Sequence, residues 1–296
     1  MTMFENYLKN HRPVLLDGAV GTLLQSRGYR LPAPQWSAAV LESAPEVIIG
    51  IHQEYLGAGA ELLTTVTFRT TGRVYGQIGR PERARELTTL AVRCGQEAIG
   101  DRQDAFIAGS VAPLEDCYRP DLVPDDAALK QEHAEQIDWL IAAGVDCLLF
   151  ETMNSIREAT ICAELARDRS FPFFASFVTD SPETILSGES LQEAVQAVIR
   201  YRPLAVVMNC THPQVLTEAL RHIRRFTDYP LGAYANVGES TPEQGGTLEG
   251  IISPDRYLQF VYQWQEWELS LIGGCCGSTP EHIRAIQREF HRTKRK

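Results

Sequence analysis

Three cysteines carry the most specific chemistry in the sequence. Cys210 ends an apolar run, LAVVMNC at 204–210, and Cys275 and Cys276 end another, LSLIGGCC at 269–276. Three thiolates without a nearby fourth ligand describe an open zinc site, with one position left for water or substrate. Such a centre carries a net charge of about −1, which makes it a poor Lewis acid for splitting water and a good host for another soft thiolate. A thiol bound there would ionise near neutral pH, although a free thiol has a pKa of about 8.5. Alkyl transfer to that sulfur is the favoured reaction, and hydrolysis is less natural. Successive strand residues point to opposite faces, so Cys275 and Cys276 can share one ion only if the strand breaks there. Gly273, Gly274 and Gly277 are expected to supply the backbone freedom for the break. The bland alternative is three buried cysteines at strand ends; NC on one run combined with GGCCG on another favours metal. Cys94, Cys147 and Cys162 read as core filler, and Cys117 as a bystander near the site.

Thiols so far apart in sequence need a scaffold that brings strand ends together. Eight short apolar runs punctuate the chain, at 14–19, 61–68, 104–111, 145–152, 171–178, 204–210, 230–237 and 269–276. Between them lie amphipathic helical patterns at 45–56, 81–99, 125–142, 155–167, 191–201, 213–226, 254–267 and 280–290. Several start with proline, whose missing N–H costs nothing in the first turn. Nearly continuous apolar strands with helical crossovers indicate a parallel sheet covered on both faces. Eight units of about 37 residues predict a single (β/α)₈ TIM barrel of α/β class spanning 1–296 as one domain. The competing open doubly wound sheet wants a glycine-rich phosphate loop after its first strand, and LDGAVGTLLQ has glycines only at 18 and 21. Barrel sites sit at the carboxyl ends of strands. Those ends carry Asp17-Gly18, Thr67-Phe68, Ser110, Glu151-Thr152, Asn209-Cys210, Asn236 and the GGCC segment.

Composition narrows the function further. The 296 residues are 44% hydrophobic and 22% charged, enough for a large core and unlike disordered, collagenous or disulfide-scaffold chains. A net charge of −10 argues against nucleic acid or an anionic membrane as partner. The one basic run, Arg292, Lys294, Arg295 and Lys296, reads as a solvated tail. The first residues lack the features of a secretory signal, and no segment approaches the roughly 18 apolar residues of a membrane helix. Cytoplasmic residence is expected, with all seven cysteines reduced.

The chain resembles the homocysteine S-methyltransferase family over essentially its full length. The resemblance rests on LLDGAVGTLL at 15–24, QWSAAVL at 35–41, GAGAELLTTVTF at 57–68, GSVAPLEDCYRP at 109–120, LLFETM at 148–153, NCTHP at 209–213, YANVGE at 234–239 and IGGCCGSTPEHI at 272–283. It implies Zn²⁺ as cofactor with Cys210, Cys275 and Cys276 as ligands. It further implies Asp17 and Gly18 as an amino-acid-binding turn and Glu151 as the carboxylate that holds the substrate ammonium. A zwitterion held by its thiol needs such an anion; the alternative for Glu151 is a rim salt bridge. Asn236 is a candidate for a temporary fourth ligand or a polar wall.

Members of this family use different methyl donors: a betaine, S-methylmethionine, S-adenosylmethionine or a folate. The small donors present a methyl on a cationic centre, for which Trp36 could supply an aromatic face. Betaine-using relatives have tyrosines after strands two and four, where this chain has Arg69 and Thr152. Many members read TNTF after strand two, where this chain has Val66 in place of the Asn. A barrel occupying the whole chain leaves no cobalamin or folate module, so a small sulfonium donor is expected. The anticipated reaction is methyl transfer from S-methylmethionine or S-adenosylmethionine to L-homocysteine, forming methionine. The rivals are a betaine- or other onium-dependent enzyme acting on homocysteine or selenohomocysteine, methyl delivery by a partner protein, and a non-catalytic amino-acid-binding barrel. Oligomeric state stays open at this level.

Overall fold

Side chains alternate across a strand, so an apolar run covered on both faces divides its residues between two layers. The computed structural model describes residues 1–238 and 250–293, the last four by backbone alone. Lys294, Arg295 and Lys296 of the basic tail, and Glu239 at the end of YANVGE, lie outside the described residues. The strands are β1 (Val14–Leu15), β2 (Leu62–Thr64), β3 (Phe106–Val111), β4 (Cys147–Met153), β5 (Phe173–Phe177), β6 (Val206–Asn209), β7 (Leu231–Ala235) and β8 (Leu271–Gly274). All pair in parallel in the order β1-β8-β7-β6-β5-β4-β3-β2. A parallel bridge between Leu16 and Leu62 joins the two ends, closing the predicted eight-stranded barrel.

The two layers follow the alternation. Val14, Leu16, Leu62, Phe106, Leu149, Phe174 and Val207 pack together within the barrel. Leu15, Leu63, Ile107, Leu148, Phe150, Val206 and Ile272 pack outward with the helices. Cys147 falls in the inner layer, while Cys94 and Cys162 are buried in the outer one.

The helices are α1 (Met3–Asn10), α2 (Val20–Ser26), α3 (Ser37–Ser43), α4 (Pro45–Ala58), α5 (Gly72–Gln77), α6 (Arg83–Ile99), α7 (Asp126–Ala143), α8 (Ile156–Asp168), α9 (Leu191–Ile199), α10 (Pro213–Ile223), α11 (Pro254–Trp264) and α12 (Pro280–Thr293). Eight match the predicted patterns. The helical pattern at 254–267 divides, because its last turn tightens to a 3₁₀ helix before Glu268 turns left-handed at φ 48°. The helices α1, α2, α3 and α5 were not expected; at six to eight residues each they are too short for hydrophobic periodicity to declare. A reciprocal Thr2–Glu5 capping box starts α1. Its Phe4 reaches the inner layer, 5.2 Å from the Phe106 ring and 6.1 Å from Phe174, so α1 packs onto the barrel core. Among the described residues no helix is long and apolar enough to cross a membrane.

One buried group is expected to make this fold acid-sensitive. His52 in α4 is fully buried, neither ring nitrogen has a partner, and burial lowers its pKa from 6.5 to about 4. Below pH 6.5 the unfolded chain takes up a proton that the folded chain refuses, so stability falls with pH until about 4. His52→Leu should therefore lose about 2 kcal/mol less stability than wild type between pH 7 and pH 5, at about 1.4 kcal/mol per unit. Urea unfolding at the two pH values measures this; equal losses would mean that another group drives the acid response.

Candidate active site

Cys210 leaves β6 with a left-handed backbone, φ 52°, unusual for a residue with a Cβ. The turn is held by hydrogen bonds from Cys210 N to Tyr234 O at 3.3 Å and from Asn236 Nδ2 to Cys210 O at 3.0 Å. The preceding Asn209 ties β6 to its neighbours: its Oδ1 accepts from Thr152 N and Ser176 Oγ, and its Nδ2 donates to Thr152 Oγ1. Thr152, also left-handed at φ 60°, follows Glu151 directly. One buried asparagine thus locks the thiol-bearing rim to the carboxylate-bearing rim.

Cys275 and Cys276 follow β8, and the strand does break there. Cys275 N still donates to Ala235 O, but the chain then turns, with Ser278 N donating to Cys275 O and Gly277 at φ 81°. Only Gly277 meets the expectation of backbone freedom. Gly273 and Gly274 are needed for space, since a Cβ on Gly273 would sit 2.7 Å from Leu16 Cβ and one on Gly274 would sit 2.5 Å from Ser278 Cβ. Their role is close approach of β8 to β1 and to its own following turn, a tertiary requirement that spacing does not reveal.

The three sulfurs converge. All lie within 4.8 Å of one another, and Cys210 Sγ is 3.7 Å from Cys276 Sγ. Two thiolates on one tetrahedral zinc stand about 3.8 Å apart, given Zn–S of about 2.3 Å. Hydrogen bonds from the other two thiols hold Cys210 well below the ordinary thiol range, and the same hydrogen bonds push Cys275 and Cys276 well above it. Three thiolates at this separation need a counter-cation, so the donor set fits a thiophilic divalent ion.

The sulfurs open into a cavity of about 190 Å³ that Asp17, Gly18, Trp36, Phe68, Glu151 and Tyr234 also line. Glu151 accepts a short hydrogen bond from Ser110 Oγ and a 3.3 Å bond from Tyr234 Oη. Burial raises its pKa to about 7, and the nearby Cys210 charge adds to the rise, while the two hydroxyls pull it back. Among the described residues no basic side chain pairs with it, so the rim-salt-bridge alternative lacks a partner. Asp17 is already engaged: its carboxylate accepts from Thr64 N at 2.9 Å and from Thr64 Oγ1 at 2.9 Å. Burial nevertheless raises its pKa well above the carboxylate range. Gly18 is required by crowding, because a Cβ there would meet Ser278 Oγ at 2.7 Å and Tyr55 at 2.8 Å.

Trp36 reaches the cavity from the N-cap of α3 with φ 49°, its ring parallel to Phe68 at 6.2 Å. The Arg69 guanidinium lies 5.2 Å from both rings and donates to Glu115 O, so a protein cation already faces this aromatic pair. Val66 is buried on the cavity wall. Asn236 sits behind Cys210, its Nδ2 on the Cys210 carbonyl and its buried Oδ1 without a partner. Sequence reasoning missed Tyr118, Tyr234 and Thr64. Tyr118 comes from an irregular segment of the third rim loop, Tyr234 from inside an apolar run, and Thr64 is one of three threonines in the stretch TTVT. None has a spacing signature.

Comparison with known proteins agrees with this geometry. The family described as homocysteine S-methyltransferase matches residues 14–290. The chain is 32% identical over 292 residues to the homocysteine S-methyltransferase of Escherichia coli strain K12, covering 93% of this chain and 94% of that one. It is 30% identical to homocysteine S-methyltransferase 4 of Zea mays, over 93% and 88% of the two chains. Among solved structures, the metallated form of the homocysteine methyltransferase MmuM from Escherichia coli superposes with a TM-score of 0.84 at 29% identity, covering 97% of this chain and 99% of that one. A closed eight-stranded barrel, three converging rim thiols and full-length similarity together establish that the chain belongs to the homocysteine S-methyltransferase family.

Proposed function

We propose that this protein transfers a methyl group from a small sulfonium donor, S-methylmethionine or S-adenosylmethionine, to the thiol of L-homocysteine, forming methionine. The observation that carries the reading is the three-sulfur cluster opening into the same cavity as Glu151, a half-buried carboxylate with no cationic partner among the described residues. Cys210, Cys275 and Cys276 would hold the zinc, which when bound supplies the charge that keeps an incoming thiol ionised and nucleophilic near neutral pH. Glu151, oriented by Ser110 and Tyr234, takes the substrate ammonium, and Asp17 and Gly18 shape the wall beside it. Asn236 holds the Cys210 turn and is the further candidate to face the metal. Holding the acceptor sulfur and donor methyl in line contributes up to about 7–11 kcal/mol to such a displacement. We read residues 1–296 as one catalytic unit, and the use of seven unpaired cysteines supports cytoplasmic residence.

The lining also favours the donor class. It contains Asp17, Glu151 and four cysteines, three of them the clustered ones, and among the described residues no Lys, Arg or His. With Glu151 ionised, such a lining attracts a cationic donor and repels the carboxylates of a folate. Aromatic surface from Trp36 and Phe68 lies beside it. Incubating zinc-loaded protein and homocysteine with each of S-methylmethionine, S-adenosylmethionine, betaine and methyltetrahydrofolate, and following methionine, tests this. A sulfonium donor should give the fastest turnover. Turnover with betaine alone would overturn the reading of Arg69 and Thr152, and absence of methionine from every donor would overturn the activity.

A further inference from the structure

Tyr118 stands where it can act on the chemistry. Its hydroxyl lies 3.2 Å from Cys210 Sγ, reaching across the barrel mouth from the loop after β3 to the end of β6. The loop is pinned at three successive residues. Arg69 Nη1 donates to Glu115 O at 2.9 Å, Tyr118 N donates to Asp116 Oδ1 at 3.0 Å, and the fully buried Asn154 donates from Nδ2 to Cys117 O at 3.0 Å. A thiolate only accepts hydrogen bonds, so against an ionised Cys210 the phenol is the donor. Among the described residues no hydroxyl makes a comparable contact with the sulfur of Cys275 or Cys276.

The proposed reaction creates a selectivity problem inside this cavity. An electrophilic methyl donor beside three cysteinates and one substrate thiolate meets four thiolates, and turnover requires attack by only one. Attack by a ligand would form a new S–CH₃ bond from its lone pair and break the donor's C–S⁺ bond. The bonding pair would leave with the donor as a neutral thioether, and the ligand would become an uncharged thioether, a far weaker one. A hydrogen bond onto a thiolate engages the same lone-pair density that attack requires.

We propose that Tyr118 is a positioning residue whose hydroxyl, by donating to Cys210 Sγ, suppresses methylation of that ligand and leaves the incoming thiol as the nucleophile. The assignment builds on the methyl-transfer reading, but its test contains neither homocysteine nor a biological donor, so each can fail without the other. Zinc-loaded wild type and Tyr118→Phe are treated with iodomethane, and the +14 Da product at each cysteine is followed by peptide mass spectrometry. A hydrogen bond to a charged acceptor is strong enough for its loss to accelerate Cys210 methylation by roughly tenfold. Cys275 and Cys276 serve as internal references and keep their rates, with equal zinc content at the start. Tyr118→Leu, which removes ring and hydroxyl together, gives the same acceleration at Cys210 if the hydroxyl is responsible. Cys210 rates within twofold of wild type in folded, zinc-loaded Tyr118→Phe, or an equal rise at all three thiols, would overturn the proposal. A cobalt-substituted pair adds a second readout: the thiolate-to-cobalt charge-transfer band shifts in Tyr118→Phe, and an unchanged band counts against the hydrogen bond.

Discussion

Cys275→Ala is expected to lose the metal and, with it, methyl transfer. Four-ligand zinc sites hold their ion with roughly 10–16 kcal/mol, so one thiolate accounts for about 3 kcal/mol and its removal weakens binding by more than about 100-fold. The remaining pair, Cys210 and Cys276 at 3.7 Å, would still touch but could not complete the site. Zinc measured after dialysis should fall from about one equivalent to a trace, and methionine formation should fall by at least as large a factor. Cys117→Ala is the matched control. Cys117 lines the same cavity and is buried, yet lies outside the three-sulfur group, so its removal should leave the metal in place. A Cys275→Ala protein retaining a full equivalent would mean that the metal binds elsewhere.

The second large effect belongs to Glu151. Glu151→Gln keeps the shape and the contacts with Ser110 and Tyr234 but removes the anion, so the substrate ammonium loses a charge-assisted partner. At roughly 1.5–3 kcal/mol for such a bond, KM for homocysteine should rise about 10- to 100-fold while zinc content stays at the wild-type level. Burial raises the carboxyl pKa to about 7, which adds a pH signature. On the proposed role, below that pH the free enzyme is expected to carry a neutral Glu151 and to bind the ammonium poorly; above it the carboxylate is available. Wild-type kcat/KM should therefore climb through about pH 7, since this ratio reports the free enzyme. Ionisation of the substrate thiol pushes in the same direction, so the comparison that decides is with Glu151→Gln, in which the Glu151 limb disappears. Loss of metal from this variant would show that Glu151 supports the thiol cluster instead of the amino acid.

Much of the barrel was legible because its signals are local. The runs ending in Cys210 and in Cys275-Cys276 alternate with helical stretches at a spacing that favours a barrel, and seven of the eight observed strands fall inside their predicted runs, β4 running one residue past its own to Met153. The observed strands are shorter than those runs, since residues such as Thr65–Phe68 and Asp17–Ala19 leave the ladder to form the rim. The rim is where reading by periodicity stops. Trp36, Thr152 and Cys210 all adopt left-handed backbones at the cavity, and no propensity predicts such conformations for residues of these types.

By itself the sequence determined the layer architecture, the strand ends and the set of three thiols, because apolar alternation and residue type act over two to four neighbours along the chain. Only the tertiary structure decided what those residues do once assembled. Closure of the barrel brought Ser110 and Tyr234 onto Glu151, engaged Asp17 with Thr64, carried Tyr118 across the mouth to Cys210, and made Gly273 and Gly274 a matter of space. Apart from the crowding of Gly274 by Ser278, each of these contacts joins residues from different strands or rim loops, more than forty residues apart. Their geometry is set by where the closed sheet places them, a property that no local pattern encodes.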